Sequence, residues 1–220
     1  MKKVLILVEG QTEERFVKTV LYKYFASNEI QLVPTILSTK EVKDGPNFKG
    51  GVVSYGKVKK HIANLLKDTS CSMITTMFDY YGLPGDFPGY HDKPNNVTCY
   101  KKVDIMEAAF AKDINNIKFL PYLQLHEFEA LLFSSPNKIN DTFPSPRDNL
   151  AVLEGIKNSF TSPEEINEVP ETCPSRRLLK IYPRYVKPVY GPMISSGIGI
   201  DTIRKECPHF NQWIEKMLNC

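Results

Sequence analysis

The sequence predicts an α/β protein: a mainly parallel, four-stranded sheet flanked by helices, followed by a helical C-terminal extension. Three observations carry that expectation. Strand-type apolar runs alternate with helix-period segments over residues 1–135, the order expected when helices cross between parallel strands. The first run, residues 3–8 (Lys-Val-Leu-Ile-Leu-Val), is almost continuously apolar and rich in branched side chains, which suits a strand covered on both faces. Beyond about residue 147 the strand signals stop and helix-period segments remain.

The elements follow in order. Residues 12–25 change period: Phe16, Val17, Val20, Leu21 and Tyr24 fall on one stripe, with Thr12 placed to cap the helix start. Residues 30–37 read as a second strand, and Pro34, which cannot donate to a ladder, assigns it to an edge. A Gly- and Lys-rich loop at 43–51 leads into an amphipathic helix over 53–68 with a basic face. Residues 72–82 form a third strand carrying Asp79 near its end, and a long Pro/Gly loop runs from 82 to 98. A helix over 103–114 precedes a fourth strand over 118–128. The expected division is an α/β domain at 1–135 and a helical extension at 136–220, entered through a Pro/Ser/Asn-rich connection.

Composition narrows the class. At 220 residues, 42% hydrophobic and 24% charged, the chain can bury the core of an ordinary globular protein. A net charge of +3 is too small to argue for nucleic acid by itself and does not oppose an anionic substrate. No apolar run approaches the roughly 20 residues of a membrane span. The N-terminal run reaches Glu9 quickly, and no small-residue cleavage site follows, which argues against a signal peptide. Five cysteines without a Cys-x-x-Cys pair fit reduced thiols in the cytoplasm. The spacing of Cys207 and His209 matches no common structural zinc motif.

The chemistry lies in the acids. Open parallel sheets gather functional groups at the carboxyl ends of strands. This chain sets Glu9 after the first strand, Asp79 at the third, and Glu127 and Glu129 at the fourth. Glu13 lies one helical turn into the first helix, within reach of Glu9. Ionised carboxylates at buried strand ends are costly unless paired, and a divalent cation relieves their repulsion. Oxygen-only donors suit Mg²⁺ or Mn²⁺ rather than zinc. Gly10 permits close backbone approach just ahead of a helix N-terminus, whose free N–H groups favour an anion. Each acid also has a plain structural reading: Glu9 as an ion-pair partner, Glu13 as an acid favoured by the helix dipole. Glu127 and Glu129 point to opposite faces if the strand continues through them, and both can reach one site only if the chain turns helical there. The sequence leaves either as the ligand.

These residues carry a resemblance. "VEGQTEERF" resembles the opening motif of Toprim domains, in which the glutamate ending the first strand supports metal-dependent chemistry on a phosphodiester. In the OLD branch of those proteins a second acid four residues on joins the site, which corresponds here to Glu13. Together with "FDYYGLPGDFPG", "HEFEALLF", "PSRRL" and "CPHFNQW", the chain resembles a Toprim-like family of bacterial proteins, domain of unknown function 4276, distantly similar to OLD-family nucleases. The resemblance spans nearly the whole chain. It implies a Toprim-like fold, an Mg²⁺ or Mn²⁺ cofactor, a nucleic-acid substrate, an ATPase partner encoded nearby in defence loci, and a cytoplasmic protein, as a homodimer or otherwise. One departure stands out: Toprim domains carry Asp-x-Asp after the third strand, and here the run is Asp79-Tyr80-Tyr81. Either Asp86, Glu127 or Glu129 supplies the second carboxylate, or the site binds one metal, or the chemistry is lost.

A basic stretch completes the inventory. Residues 174–191 interleave Arg176, Arg177, Lys180, Arg184 and Lys187 with Tyr182, Tyr185 and Tyr190. Guanidinium groups suit phosphate, and aromatic rings stack on unpaired bases; the plain alternative is a solvated helix face with tyrosines in the core. OLD-like nucleases use a lysine outside the acidic cluster, a part that Lys180 or Lys187 could take by analogy. His126 is a base, a ligand-orienting group, or a satisfied structural histidine. The expected activity is metal-dependent phosphodiester cleavage on nucleic acid. Glu9, Glu13, Asp79 and Glu127 or Glu129 would hold metal, with Glu9, Glu13 and Lys180 catalytic and Gly10, Arg176, Arg177 and Lys187 on phosphate. The rival is a catalytically degenerate regulatory or adaptor subunit, and a small-nucleotide phosphotransferase or hydrolase would use the same acids.

Overall fold

A computed structural model describes residues 1–37, 52–143, 148–167 and 169–220, so the loop expected at 43–51 lies outside the described residues. β1 (Lys2–Val8) takes the middle of the sheet because Val4 through Val8 are all buried and both of its edges are paired. β2 (Ile30–Ile36) runs parallel to it on one side and β3 (Met73–Asp79) on the other. β4 (Phe119–Leu120) and β5 (Leu123–Gln124) both pair with β3 in parallel, giving the order β2-β1-β3-β4 with β5 beyond β4 along the chain. β2 is the edge strand that Pro34 required.

The fourth strand differs from expectation in being two short pieces. Its register does not slip: Thr75 pairs with Leu120 and Phe78 with Leu123. The ladder breaks between them at Pro121, and the Thr76 hydroxyl fills in, donating to the Tyr122 carbonyl and accepting from the Tyr122 N–H, both at 2.9 Å. The strand then stops short of residue 128, because His126 adopts a left-handed φ of 57° and turns the chain into a 3₁₀ helix over Phe128–Ser134.

The first helical segment runs as α1 (Gln11–Phe16), a π-helical turn (Val17–Leu21) and α2 (Tyr22–Ala26). Gly10, not Thr12, occupies its cap position, and Thr12 is buried inside the first turn. α3 (Tyr55–Leu65) and α4 (Cys99–Ile114) follow. The hydroxyl of Thr98 accepts from Lys101 N at the start of α4, and left-handed Asn115 closes its end. The C-terminal part is helical as expected: α5 (Pro136–Thr142), α6 (Leu150–Asn158), α7 (Pro174–Ile181), α8 (Lys187–Ile198), α9 (Ile200–Glu206) and α10 (Pro208–Leu218). Proline in the first turn of α5, α7, α8 and α10 supplies the start signal.

Alternate side chains of β1 feed two cores, one on each face of the sheet. Val4, Ile6 and Val8 join Phe16, Phe25, Leu178, Ile194, Phe210 and Trp213, so that face is closed by the first helical segment together with helices from beyond residue 170. Leu5 and Leu7 join Ile74, Phe78, Phe87, Val103 and Phe110 under α3 and α4. Among the described residues no helix is long and apolar enough to cross a membrane.

Candidate functional site

Because β1 and β3 are neighbours, their carboxyl ends bring Glu9 and Asp79 side by side. The Asp79 N–H donates to Glu9 Oε2 at 3.0 Å, and the Glu9 N–H to the Met77 carbonyl at 3.3 Å. The turn at Gly10 sends the chain straight into α1, which sets Glu13 in its buried first turn. Asp79 Oδ1 accepts the Phe128 N–H at 2.8 Å and so caps the 3₁₀ helix. That helix carries Glu129 into the same place. Glu129 is fully buried, and its Oε1 accepts from the Tyr185 hydroxyl at 3.2 Å.

A lysine stands among these acids. The Lys187 ammonium, at the start of α8, donates to Asp79 Oδ2 at 2.8 Å and lies 3.2 Å from Glu129 Oε2 and 3.6 Å from Glu13 Oε1. The approach of α8 depends on Gly191, where a Cβ would meet Phe128 Cε1 at 3.0 Å and Thr12 Cγ2 at 3.1 Å. Arg15 Nη1, donating to the Pro188 carbonyl at 2.7 Å, ties the two helices at the same level.

The electrostatics follow from this crowding. Burial, then the charges of Asp79 and Glu13, push the Glu9 carboxyl up to about 8. Burial likewise pushes Glu129 up to about 7, against the pull of Lys187. Glu13 is raised by burial despite Lys187. Burial alone would lower the Lys187 ammonium, but Asp79, Glu129 and Glu13 outweigh it and hold it well above the ordinary lysine range. Three acids thus share one ammonium, and Glu9 adds a fourth carboxyl beside Asp79. Glu129 Oε2 remains buried without a hydrogen bond, facing Lys187 off the hydrogen-bonding angle. An all-oxygen donor set suits a hard divalent cation, and here the Lys187 ammonium stands among those oxygens. Among the described residues, however, the group whose ligand atoms already lie within 4.8 Å of one another is a different one: Asp104, Glu107 and His209.

A family model described as a domain of unknown function (DUF4276) matches residues 8–218. The chain belongs to this family. No curated protein matches it. Among solved structures it is similar to the C-terminal region of the Burkholderia pseudomallei OLD protein, at 13% identity and a TM-score of 0.45, covering 99% of each chain. It is also similar to the C-terminal region of the Xanthomonas campestris pv. campestris OLD protein, at 15% identity and a TM-score of 0.42, covering 99% of this chain and 98% of that one.

The other candidate residues of this DUF4276 chain fall elsewhere. Glu127 turns to the start of α7, where its Oε2 accepts the Ser175 N–H at 2.9 Å and its Oε1 the Ser175 hydroxyl at 3.0 Å. Asp86 caps α3, accepting the Tyr55 N–H on both oxygens. Arg177 is bound to the Thr172 carbonyl and Asn167 Oδ1, with its guanidinium over the Phe160 ring, and Arg176 is exposed. Lys180 and Arg177 line a groove of about 530 Å³ between α6 and α7, so Lys187 is the lysine that reaches the acids. The tyrosines expected as a stacking platform are mostly core: Tyr182 and Tyr185 are buried, and Phe143 stacks on Tyr182 at 4.3 Å. His126 is buried with its ring against Tyr80, and its carbonyl accepts the Tyr81 N–H at 2.9 Å.

Sequence reasoning missed the position of Lys187 and the bond from Tyr185 to Glu129. One signal was available. Pro188 marks a helix start, and a lysine in a first turn opposes the helix dipole unless acids compensate it.

Proposed function

We propose that this chain performs metal-dependent phosphodiester cleavage on nucleic acid, as a nuclease-like Toprim protein. The observation that supports this reading is the imbalance at the strand ends: Glu13, Asp79 and Glu129 lie within 3.6 Å of one ammonium, Glu9 lies against Asp79, and the Glu129 oxygen nearest that ammonium is buried with no hydrogen bond. Glu9, Glu13, Asp79 and Glu129 would hold an Mg²⁺ or Mn²⁺ ion. Such an ion supplies Lewis-acid polarisation of a phosphoryl oxygen and a water of lowered pKa. Glu9, at the end of β1 beside Asp79, would hold the ion as a carboxylate, with Glu13 as a second ligand or base. Lys187 would counter charge on the phosphoryl oxygens, with Arg176 and Lys180 on the flanking backbone. In this reading the extension at 136–220 supplies Lys187 to the α/β domain at 1–135. From the family resemblance we take the cytoplasmic setting, the defence role and the ATPase partner.

The test is direct. Calorimetry with MnCl₂ or MgCl₂ should show uptake, and supercoiled plasmid or single-stranded DNA should be cut only with the ion present. Glu9→Gln should abolish cutting, a loss of at least about 100-fold, because a neutral amide replaces a charged ligand of the ion. Absence of metal uptake by the wild type sinks this reading.

A second reading has its own observation. Lys187 already neutralises part of the cluster, and Tyr81 stands where a second aspartate would. Both suit a degenerate regulatory or adaptor subunit in which the ammonium serves as a permanent counter-ion. That protein would take up no Mg²⁺ at millimolar concentrations, and Glu9→Gln would leave its capture of an ATPase partner intact.

A further inference from the structure

Away from the strand-end acids, α4 and α10 meet beside β4. Asp104 and Glu107, three residues apart, share one face of α4, and His209 lies in the first turn of α10. One ligand atom from each of the three lies within 4.8 Å of the others, and His209 Nε2 is 3.1 Å from Glu107 Oε1. Two of these side chains are held by groups outside the trio. The His209 ring, 6% exposed, stacks on Tyr122 at 5.2 Å and 19°. Tyr122 in turn stacks on Trp213 at 4.2 Å and 9°, and Trp213 Nε1 donates to Thr75 Oγ1 at 2.8 Å. Glu107 Oε1 accepts the Leu123 N–H at 2.8 Å. Asp104 is exposed and can swing. A cavity of about 20 Å³ lies against all three, with Lys216 exposed at its rim. That is room for one water-sized body.

We propose that Asp104, Glu107 and His209 bind a divalent ion of the zinc class and clamp α10 to α4. One imidazole with two carboxylates and open positions is donor chemistry for Zn²⁺ or a neighbouring first-row ion, whereas Mg²⁺ seeks oxygen alone. Metal bonds of about 2.0–2.2 Å set neighbouring ligand atoms about 3–3.5 Å apart, which the His209–Glu107 separation already meets. The ion takes the place of the hydrogen between Nε2 and Oε1. The spacing of Cys207 and His209 hid this site, because its partners for the histidine are carboxylates a hundred residues upstream rather than cysteines. Binding to the folded chain alone stabilises it.

The experiment uses the full chain carrying Glu9→Gln and Asp79→Asn, so that the strand-end acids do not compete. Calorimetry with ZnCl₂ should give one equivalent, and Zn²⁺ should raise the thermal midpoint, while MgCl₂ does neither. On this background Asp104→Asn, on the exposed side, should keep the fold by circular dichroism and weaken Zn²⁺ uptake at least tenfold. His209→Ala should abolish uptake. The proposal is overturned if the starting variant, folded by circular dichroism, takes up no Zn²⁺, if Mg²⁺ substitutes for it, or if uptake survives Asp104→Asn undiminished.

Discussion

Five buried or half-buried glutamates show how surroundings decide what a carboxylate does. Glu164, fully buried, accepts the N–H groups of His209 and Phe210 at 2.9 Å each, and Glu127 accepts from Ser175; both are satisfied by helix starts. Glu9, Glu13 and Glu129 crowd together around Lys187 instead, and burial raises all three. A carboxyl that holds its proton more tightly folded than unfolded stabilises the fold below the unfolded pKa, and that contribution is lost as pH rises through the folded one. The window runs from 4.5 to about 8 for Glu9 and from 4.5 to about 7 for Glu129. The ion-free protein should therefore lose thermal stability across that window, and Glu9→Gln should flatten the decline; thermal midpoints against pH check it, and an unchanged slope would contradict it. Trp213 offers a separate check. Trp213→Phe removes the bond to buried Thr75 and should cost about 1–2 kcal/mol, seen in denaturant unfolding. Glu9 and Asp79 were readable because each ends an apolar run, Glu13 because it lies one helical turn beyond Glu9, and Glu129 only as an alternative to Glu127. Lys187 was named only by analogy, as an alternative to Lys180, since nothing local says which way its ammonium points.

The elements divide in the same way. β1, β2 and β3 were legible because continuous apolar runs and Pro34 name both burial and edge position. The expected fourth strand was misread in extent, because its two interruptions have non-local remedies: the Thr76 hydroxyl at Pro121 and the left-handed turn at His126. The same turn answers the question of Glu127 and Glu129, sending one to α7 and the other to the acids. Helix α8 matters most for the site, since it carries Lys187 at its start and seats Gly191 against Thr12 and Phe128. Gly191→Val should force α8 outward at a cost of about 1–3 kcal/mol. By moving Lys187 it should also alter the proposed metal-dependent cleavage more than an equally destabilising core substitution elsewhere. A variant that loses stability but keeps its activity would argue against that coupling.

At the scale of the molecule, one core runs from Val4 through Phe128 to Trp213, so residues far apart in sequence close a single face of the sheet. Glu9, Glu13, Asp79 and Glu129, all from the first 130 residues, and the lysine from α8 come together across that arrangement. By itself, the sequence determined the α/β class, the edge and central strands, the helical character beyond residue 136 and the carboxylates at strand ends. These follow from periodicity and burial cost, which local runs of residues carry in full. Only the tertiary structure decided that Lys187 lies among the acids, that Glu127 and Arg177 are tied to neighbouring structure, and that His209 meets Asp104 and Glu107. Those outcomes depend on how helices dock across the sheet, and docking is fixed by the fit of distant surfaces rather than by any spacing along the chain.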